Sequence, residues 1–253
     1  YETIVLDDAS RDTSLAVIAS HIAARKRDVT VVENEVNSGS PFVQWRKGVE
    51  LARGDYVWIA EADDVADPSF LARLAHKMAD SGAVMAFSDM WQIDSGDGRL
   101  GESYRDYLNQ IERGAFDASF VMEGADFLSR FLSVKNVIMN VSGALFRREA
   151  LLAALSTTRS EVETLNVAGD WRLYAEICAA GGKVVYDSHV LNGHRLHAKS
   201  VTHALKAERH LAEIAQVQNL IAGQITLSPQ TLSLQRKHVN DAREHIMAHR
   251  EVA

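Results

Sequence analysis

Three carboxylates in the first third of the chain, Glu61, Asp63 and Asp64, follow directly on a short apolar run. That run, Tyr56 to Ala60, is β-branched and aromatic and apolar on both faces, which predicts a strand buried in the centre of a parallel sheet. Open α/β sheets bind ligands at the carboxyl ends of their strands, where these acids would lie. Like charges so close together are unfavourable unless a cation lies among them. The alternative is a solvated turn in front of a helix that starts near Asp67-Pro68.

Other acids stand where predicted elements end or begin. Asp7 and Asp8 follow the first predicted strand, and either could simply start an Asx turn before the next helix. Asp170 opens a predicted helix, where N-capping alone could account for it. From their positions alone, each of these three aspartates could have either a structural or a functional role.

A histidine-rich segment near residue 195 is predicted to be extended. Because side chains alternate along an extended segment, Arg195 and His197 share one face, and His194 and Leu196 share the other. Because they share a face, the side chains of Arg195 and His197 could bind the same ligand, which favours a functional role for both. We interpret His194 and His203 as structural histidines.

Strands and helices alternate over the first part of the chain, in the order Thr3–Leu6, Thr13–Lys26, Val29–Val32, Phe42–Ala52 and Tyr56–Ala60. This β, α, β, α, β order with short connections predicts a doubly wound α/β fold. Its sheet would be mostly parallel with right-handed crossovers, flanked by helices, and its first half would bind a nucleotide.

The later part of the chain is less regular. Periodicity is lost from Asp94 to Phe120, and we interpret this long loop as a mobile segment over the site. A predicted strand, Val141–Phe146, contains the small residues Ser142-Gly143-Ala144. Their small side chains indicate that another part of the protein or a ligand lies close to the backbone there. We expect a domain at 1–203, with a nucleotide-binding half at about 1–93 and an acceptor or catalytic half at about 94–203. A helical extension without recognisable chemistry would follow at 204–253.

Composition excludes several classes of protein. The chain has 253 residues, 47% of them hydrophobic, which is enough for a large core. Its 27 basic and 34 acidic residues give a net charge of -7, so a general nucleic-acid surface is excluded. The single cysteine, Cys178, offers no disulfide framework and suits a reducing cytoplasm. No apolar run approaches the roughly 20 residues of a membrane-spanning helix.

The motifs together resemble a known family. Four stretches carry the likeness in order: Val5-Leu6-Asp7-Asp8-Ala9-Ser10; Asn37-Ser38-Gly39-Ser40 through Gln44-Trp45-Arg46-Lys47-Gly48; Trp58-Ile59-Ala60-Glu61-Ala62-Asp63-Asp64; and Gly169-Asp170-Trp171 with His194-Arg195-Leu196-His197. The chain resembles family-2 glycosyltransferases of the GT-A fold, in the bacterial subgroup that builds surface polysaccharides, from Tyr1 to about His203. The family's opening strand is missing, so we expect the native protein to extend upstream of Tyr1 and to be truncated here at its N-terminus.

On the donor side, the resemblance implies that Asp8 hydrogen-bonds the nucleotide base. A carboxylate suits this role because it accepts from a ring N–H. Asn37 and Gly39 would bring backbone close to the nucleoside. Arg46 or Lys47 would offer a cation to the donor, although Arg46 could equally be a surface charge.

For the acid cluster, the resemblance implies a divalent metal site. Asp64 would ligate the ion, and Asp63 would contact the ribose or the metal's water shell. Glu61 reaches one methylene further than the family's aspartate, so we expect it to lie outside the ligand set. Arg195 and His197 would face the diphosphate, with His197 as a third metal ligand or a diphosphate donor. Hard oxygen ligands favour Mn²⁺ or Mg²⁺.

The resemblance also implies the reaction. Asp170 would be the base of an inverting transferase, and Trp171 could stack on a sugar face. The substrates would be a nucleoside-diphosphate sugar and a hydroxyl of a glycan or lipid-linked acceptor. We expect a cytoplasmic protein that could work at the inner face of the membrane, as part of a larger chain. The alternatives are a non-catalytic nucleotide-sugar or carbohydrate-binding module of a larger synthase, or a sugar-phosphate nucleotidylyltransferase; a receiver domain fits the acid cluster poorly.

Overall fold

The computed structural model describes residues 1–25, 29–196 and 207–248, so His197 and His203 lie outside the described residues. The strands are β1 Thr3–Asp7, β2 Val29–Glu33, β3 Tyr56–Trp58, β4 Val65–Ala66, β5 Met85–Ile93, β6 Arg99–Gly101, β7 Phe120–Glu123, β8 Ala144–Arg147 and β9 Lys183–Arg195. The helices are α1 Ser14–Arg25, α2 Pro41–Leu51, α3 Phe70–Ser81, α4 Arg105–Leu108, α5 Gly124–Phe127, α6 Arg148–Thr157, α7 Arg159–Val162, α8 Gly169–Ala179, α9 Ala207–Gln224 and α10 Pro229–Ala248.

The first β-α-β unit forms as predicted. β1 and β2 pair in parallel, with Thr3 opposite Val29 and Asp7 opposite Glu33. α2 packs close to β1 because Gly48 has no side chain: a Cβ there would lie 2.9 Å from Leu6 Cδ1. Pro41 occupies the first turn of α2, where its missing N–H costs nothing.

The main sheet is mixed, whereas the sequence predicts mostly parallel strands. Its seven strands run in the order β3-β8-β5-β9-β4, with β6 paired to β5 and β7 to β9. Of its pairs, β5 with β9 is parallel, and the others are antiparallel. β8 arrives after a long irregular connection and inserts between β3 and β5. The order of helices and strands along the sequence does not predict that a later strand inserts between two earlier ones.

The prediction that Tyr56–Ala60 is a central, buried strand is wrong. β3 covers Tyr56–Trp58, lies at the end of the strand order and is half-buried. Its apolar residues still pack against neighbours, with Val57 and Ile59 against the main core and Trp58 against Phe70 at 5.3 Å between ring centroids. Packing of both faces thus explains the apolar pattern without a central position.

The segment predicted as one loop, Asp94 to Phe120, contains β6 and α4. The predicted strand Val141–Phe146 begins instead with a 3₁₀ turn at Val141–Gly143, and only then continues as β8. The extended segment predicted near residue 195 is the end of one long strand, β9, which pairs with β4, β5 and β7.

The hydrophobic core extends into the C-terminal helices. Phe116 and Tyr186 lie fully buried in an aromatic group, with 5.2 Å between their ring centroids. From α9, Ile214, Val217 and Ile221 join the same core. α9 therefore packs as part of the domain's interior, although the division of the chain near residue 203 stays a prediction. Among the described helices, none is both long and apolar enough to cross a membrane.

A close contact between α2 and α8 gives the first testable prediction. A Cβ on Gly169 would lie 2.3 Å from Phe42 Cζ, and Phe42 is only 4% exposed, so its ring cannot move aside. We expect Gly169→Ala to lower the free energy of unfolding by about 1–3 kcal/mol, as overpacking does. Denaturant unfolding measures the loss.

The matched control is Gly223→Ala within α9, where the added Cβ meets open space. That change should raise the unfolding free energy by about 0.5–1 kcal/mol, because alanine restricts the unfolded chain. Equal effects of the two substitutions would contradict the close contact between α2 and α8.

Candidate active site

The carboxylates of Glu61, Asp63 and Asp64 converge just after β3. One oxygen from each lies within 4.8 Å of the others. Oxygen ligands about 2.0–2.6 Å from one divalent ion are separated by distances of this order. The three side chains therefore fit a hard divalent cation.

The turn before β8 holds this acid cluster in place. Asn140 Nδ2 donates to Asp64 Oδ2 at 2.6 Å, and the Arg195 N–H donates to Asp64 Oδ1 at 2.9 Å. The Glu61 N–H donates to Ser142 Oγ at 3.0 Å. The close approach predicted around Ser142 is thus to the acid cluster itself.

Burial and mutual repulsion disfavour the ionised cluster. Burial, together with the charges of Asp64, Asp63 and Asp170, raises the pKa of Glu61 to about 8. Burial also raises the pKa of Asp64, although hydrogen bonds from the Arg195 N–H and Ser142 act in the opposite direction. A divalent cation would offset this repulsion. The ligand roles predicted for Asp63 and Asp64 stay predictions, but the electrostatics fit a metal site better than a solvated turn.

Asp170 lies close enough to the acid cluster for its charge to act on Glu61. Its Oδ2 accepts a hydrogen bond from Asn136 Nδ2 at 3.0 Å, and its Oδ1 accepts from the Trp171 N–H at 2.6 Å. Burial raises the pKa of Asp170 to about 7, although both hydrogen bonds oppose the rise. A carboxyl group that is half ionised near neutral pH is suited to accept a proton.

Two expectations about the start of α8 are wrong. Ala168 occupies the N-cap position, and Asp170 lies inside the first turn. Trp171 is 2% exposed, and its indole N–H donates to the Leu132 carbonyl at 2.7 Å, so it belongs to the core and cannot stack on a sugar. Adjacent residues on a helix point in different directions, so Asp170 and Trp171 cannot face the same ligand.

Asp8 anchors a second polar cluster, where β1 ends. Its Oδ1 accepts from Asn34 Nδ2, the Ser38 N–H and Gln44 Nε2 at 2.7, 2.9 and 2.8 Å. Among the described residues, its Oδ2 accepts from Ser38 Oγ at 2.7 Å. Burial acts to raise the pKa of Asp8, but hydrogen bonds from Ser38 and Asn34 and the charge of Lys47 lower it. The ionised Oδ2 retains a lone pair for a further donor, as base recognition requires.

The turn after β2 is fixed against Asp8. Asn37 Nδ2 donates to the Asp8 carbonyl and Asn37 Oδ1 accepts from the Gly39 N–H, both at 2.8 Å. Gly39 adopts a φ of +71°, which glycine tolerates without strain. Asp7 Oδ2 accepts from the Ser10 N–H at 3.0 Å, which fits a structural role for Asp7, although this bond spans three residues and an Asx turn spans two. Nucleoside contacts by Asn37 and Gly39 stay predictions.

The two cations of α2 differ in their surroundings. Arg46 forms ion pairs with Glu50 and Glu163, both at 3.4 Å, which fits the surface-charge alternative. Lys47 Nζ instead donates to Asn34 Oδ1 at 2.5 Å, within the Asp8 cluster. Lys47 is therefore better placed than Arg46 to contact a sugar donor bound near Asp8. The contact with a sugar donor predicted for Arg46 stays a prediction.

Arg195 reaches the acid cluster through its backbone, and its side chain is engaged elsewhere. The guanidinium donates to the Asp63 and Asp94 carbonyls at 2.5 Å and to Asp97 Oδ1 at 2.6 Å. The acidic turn between β5 and β6 thus contacts the Arg195 side chain, a contact that strand alternation does not predict. The contact with a diphosphate predicted for Arg195 stays a prediction. The role predicted for His197 falls on a residue outside the described ones.

Sequence reasoning missed Tyr104 and Asn136 and assigned His194 only a structural role. His194 acts on Asp64 as a positive charge when protonated, and its Nδ1 lies 2.8 Å from the Tyr104 hydroxyl. Asn136 binds Asp170. No local pattern marks these contacts, since each joins residues that are far apart in sequence.

The α2–α8 contact links the Asp8 cluster to the helix of Asp170. Phe42 at the start of α2 lies against Gly169, one residue before Asp170. Ser38 and Gln44, which hold Asp8, lie just before α2 and within its first turn. The segment that binds Asp8 therefore packs beside the start of α8.

The fold defines a class of protein. S. aureus TarS in complex with UDP-GlcNAc aligns with a TM-score of 0.62 at 17% identity, covering 97% of this chain and 62% of that one. The mannosyltransferase PcManGT from Pyrobaculum calidifontis, in complex with GDP-Man and Mn²⁺, gives a TM-score of 0.62 at 15% identity, covering 100% and 66%. At these identities the likeness concerns the fold, and the predicted GT-A-like α/β fold is confirmed.

Sequence comparison gives the family. Residues 1–153 match the model described as "Glycosyl transferase family 2", and the chain belongs to this family. It is 33% identical over 73 residues to a poly(ribitol-phosphate) beta-glucosyltransferase of Bacillus spizizenii, covering 29% of this chain and 11% of that protein. It is 22% identical over 142 residues to glycosyltransferase GlyG of Streptococcus pneumoniae serotype 4, covering 56% and 40%. The chain thus spans less than half the length of both relatives.

The acid cluster predicts metal-dependent stabilisation. Mn²⁺ at about 100-fold above its Kd should stabilise the folded protein by about 2.7 kcal/mol, which is roughly 5–10 °C in Tm for a domain of this size. Asp64→Asn and Asp63→Asn should each remove most of this rise, measured by thermal unfolding with and without Mn²⁺.

The control is Asp80→Asn on α3, where the side chain is 65% exposed. Its Mn²⁺-dependent rise should equal that of the unsubstituted protein. A full rise in both cluster variants would exclude the acid cluster as the metal site.

Proposed function

We propose that this chain is the catalytic domain of an inverting, metal-dependent glycosyltransferase. It would move one sugar from a nucleoside-diphosphate sugar to a hydroxyl of a glycan or lipid-linked acceptor, in the synthesis of a bacterial surface polysaccharide. The observation that carries the proposal is the meeting of the acid cluster with Asp170, whose charge acts on Glu61.

The donor class follows from the acid cluster and from the relatives. PcManGT holds GDP-Man and Mn²⁺, and TarS holds UDP-GlcNAc, in folds similar to this one. Asp63 and Asp64 would hold Mn²⁺ or Mg²⁺, with Glu61 beside them. Bound there, the ion would supply positive charge against the charge that develops on the leaving diphosphate. Asp8 would accept a hydrogen bond from the base through Oδ2.

Asp170 would act as the base. As the acceptor oxygen attacks the anomeric carbon from the face opposite the diphosphate, its proton passes to an Asp170 carboxylate oxygen. The new carbon–oxygen bond forms as the bond to the diphosphate breaks, and the nucleoside diphosphate leaves with that electron pair. Asn136, which donates to Asp170 Oδ2, keeps the carboxylate oriented during the transfer.

Sequence similarity to a relative supports the proposed type of acceptor. The B. spizizenii relative carries poly(ribitol-phosphate) in its name, which favours a polymeric surface acceptor for this chain too. A cytoplasmic location at the inner face of the membrane, where such acceptors are assembled, is part of the proposal.

The first test replaces the base. Asp170→Asn should abolish transfer, because an amide cannot take the proton, while nucleotide binding persists. Calorimetry with UDP, GDP, dTDP and CMP, each with and without Mn²⁺, identifies the base, and release of the nucleoside diphosphate from matching sugar donors measures turnover. Asp80→Asn again serves as the control. Undiminished transfer by Asp170→Asn would remove Asp170 from the mechanism, and a wild type that binds donor without turnover would favour a binding module.

The second test is pH dependence. Because Asp170 must be ionised to accept a proton and its pKa is raised to about 7, kcat should rise with pH through about 7 and fall roughly tenfold per unit below it. Among the described residues, Glu61 and Tyr174 interact electrostatically with Asp170, and Asp63 and Asp64 act in turn on Glu61. Burial raises the pKa of Glu61 to about 8, and it keeps Tyr174 protonated well above this range. A pH-independent kcat between 5.5 and 8 would contradict the assignment, given that chemistry limits the rate.

A further inference from the structure

The helix that carries Asp170 begins without a cap of its own. Its N-cap residue, Ala168, has no side-chain oxygen. The first N–H groups of a helix lack partners within the helix, and a buried one needs an acceptor from elsewhere. Ala168 and Gly169 are both buried, so water does not readily replace that acceptor.

Glu213 on α9 supplies the acceptor from a distant part of the chain. Its Oε2 accepts from the backbone N–H groups of Asn166, Val167 and Ala168 at 2.9, 2.9 and 3.3 Å. Its Oε1 accepts from Asn166 Nδ2 at 2.9 Å. One carboxylate thus gathers the turn that leads into Asp170.

The Glu213 carboxylate is buried, charged and itself oriented. It is 1% exposed, and Arg209 donates to its Oε1 at 3.0 Å from one helical turn away. Arg209 also donates to the Thr164 carbonyl at 2.8 Å. Although burial acts to raise it, hydrogen bonds from Asn166, Val167 and Arg209 lower the pKa of Glu213, so it remains ionised.

The C-terminal helices also hold the other partner of Asp170. Asn136, which binds Asp170 Oδ2, follows a loop whose carbonyls are capped by buried glutamines. Gln218 on α9 donates to the Val134 carbonyl at 2.8 Å, and Gln235 on α10 donates to the Ser133 carbonyl at 2.6 Å. Both segments that orient the Asp170 carboxyl are therefore tied to α9 and α10.

We propose that Glu213 is a positioning residue for Asp170: by holding the 166–168 turn, it aims the Asp170 carboxyl at the acid cluster and the acceptor. This proposal rests on the function proposed above, in which Asp170 is the base. Glu213 itself touches neither substrate nor metal. It gives α9 a role in the reaction beyond packing.

The test is Glu213→Gln, which keeps the shape but places an NH₂ group against backbone N–H donors. We expect kcat to fall about 10- to 100-fold, the scale of a small misplacement of a catalytic group, with donor KM and nucleotide Kd within about twofold. Glu213→Asp, which keeps the charge, should recover part of the loss. Rates are measured where circular dichroism shows each variant fully folded, and calorimetric stoichiometry gives the active fraction.

A double-mutant cycle separates positioning from a general loss of structure. If Glu213 acts through Asp170, Glu213→Gln should slow an Asp170→Glu protein, which keeps a displaced carboxylate as base and a measurable rate, by less than it slows the wild type, so the two effects are not additive. Hydrogen exchange should show reduced protection confined to residues 164–171. Glu244→Gln on the exposed face of α10 is the control and should change nothing.

The outcomes distinguish the two proposals. An active wild type with unchanged kcat in Glu213→Gln overturns the positioning role alone. A parallel loss of nucleotide binding and kcat, or an additive cycle, assigns Glu213 to folding and also overturns it. A wild type that turns over no donor removes both proposals at once.

Discussion

Three carboxylates held within 4.8 Å of one another at the end of β3 repel each other, and the arrangement around them follows from that repulsion. An acidic chain of net charge -7 gains nothing from gathering more negative charge at one point. Asn140, Ser142 and the Arg195 N–H hold the cluster by hydrogen bonds that leave its charge uncompensated. A divalent cation would neutralise this negative charge and remove the repulsion. An ion held there could in turn bind an anionic diphosphate.

The residues that hold the acids come from elements that return to β3 late in the chain. β8 inserts between β3 and β5 in the antiparallel direction, which places the turn at Asn140–Gly143 beside the acids. The absence of a side chain at Gly143 keeps that turn tight, since a Cβ there would lie 2.7 Å from Met90 Cε. The mixed sheet is therefore what allows the acid cluster to be held from two directions.

Local patterns in the sequence predicted the β1–α1–β2–α2 unit, the acid cluster and the helix of Asp170, because each depends on residues adjacent in the chain. They misplaced β3, because strand order depends on contacts between distant segments. The same limit hid Asn136 and Glu213, and the contacts that His194 and the Arg195 side chain make. Trp171 shows a different failure: a family motif joined it to Asp170, but helical geometry turns it into the core.

The position of Asp170 sets a demand on the rest of the fold. Its carboxyl is partly buried, which raises its pKa to about 7, and the backbone just before it, at Ala168 and Gly169, is buried and has no ready access to solvent as a partner. Phe42 from α2 lies against Gly169, and Ile214 and Val217 of α9 belong to the same hydrophobic core. Apolar side chains alone would leave the N–H groups of the 166–168 turn, which leads into α8, without acceptors. A charged acceptor inside the apolar wall is the solution that satisfies both requirements, which explains why the buried face of α9 carries Glu213 among its isoleucines and valine.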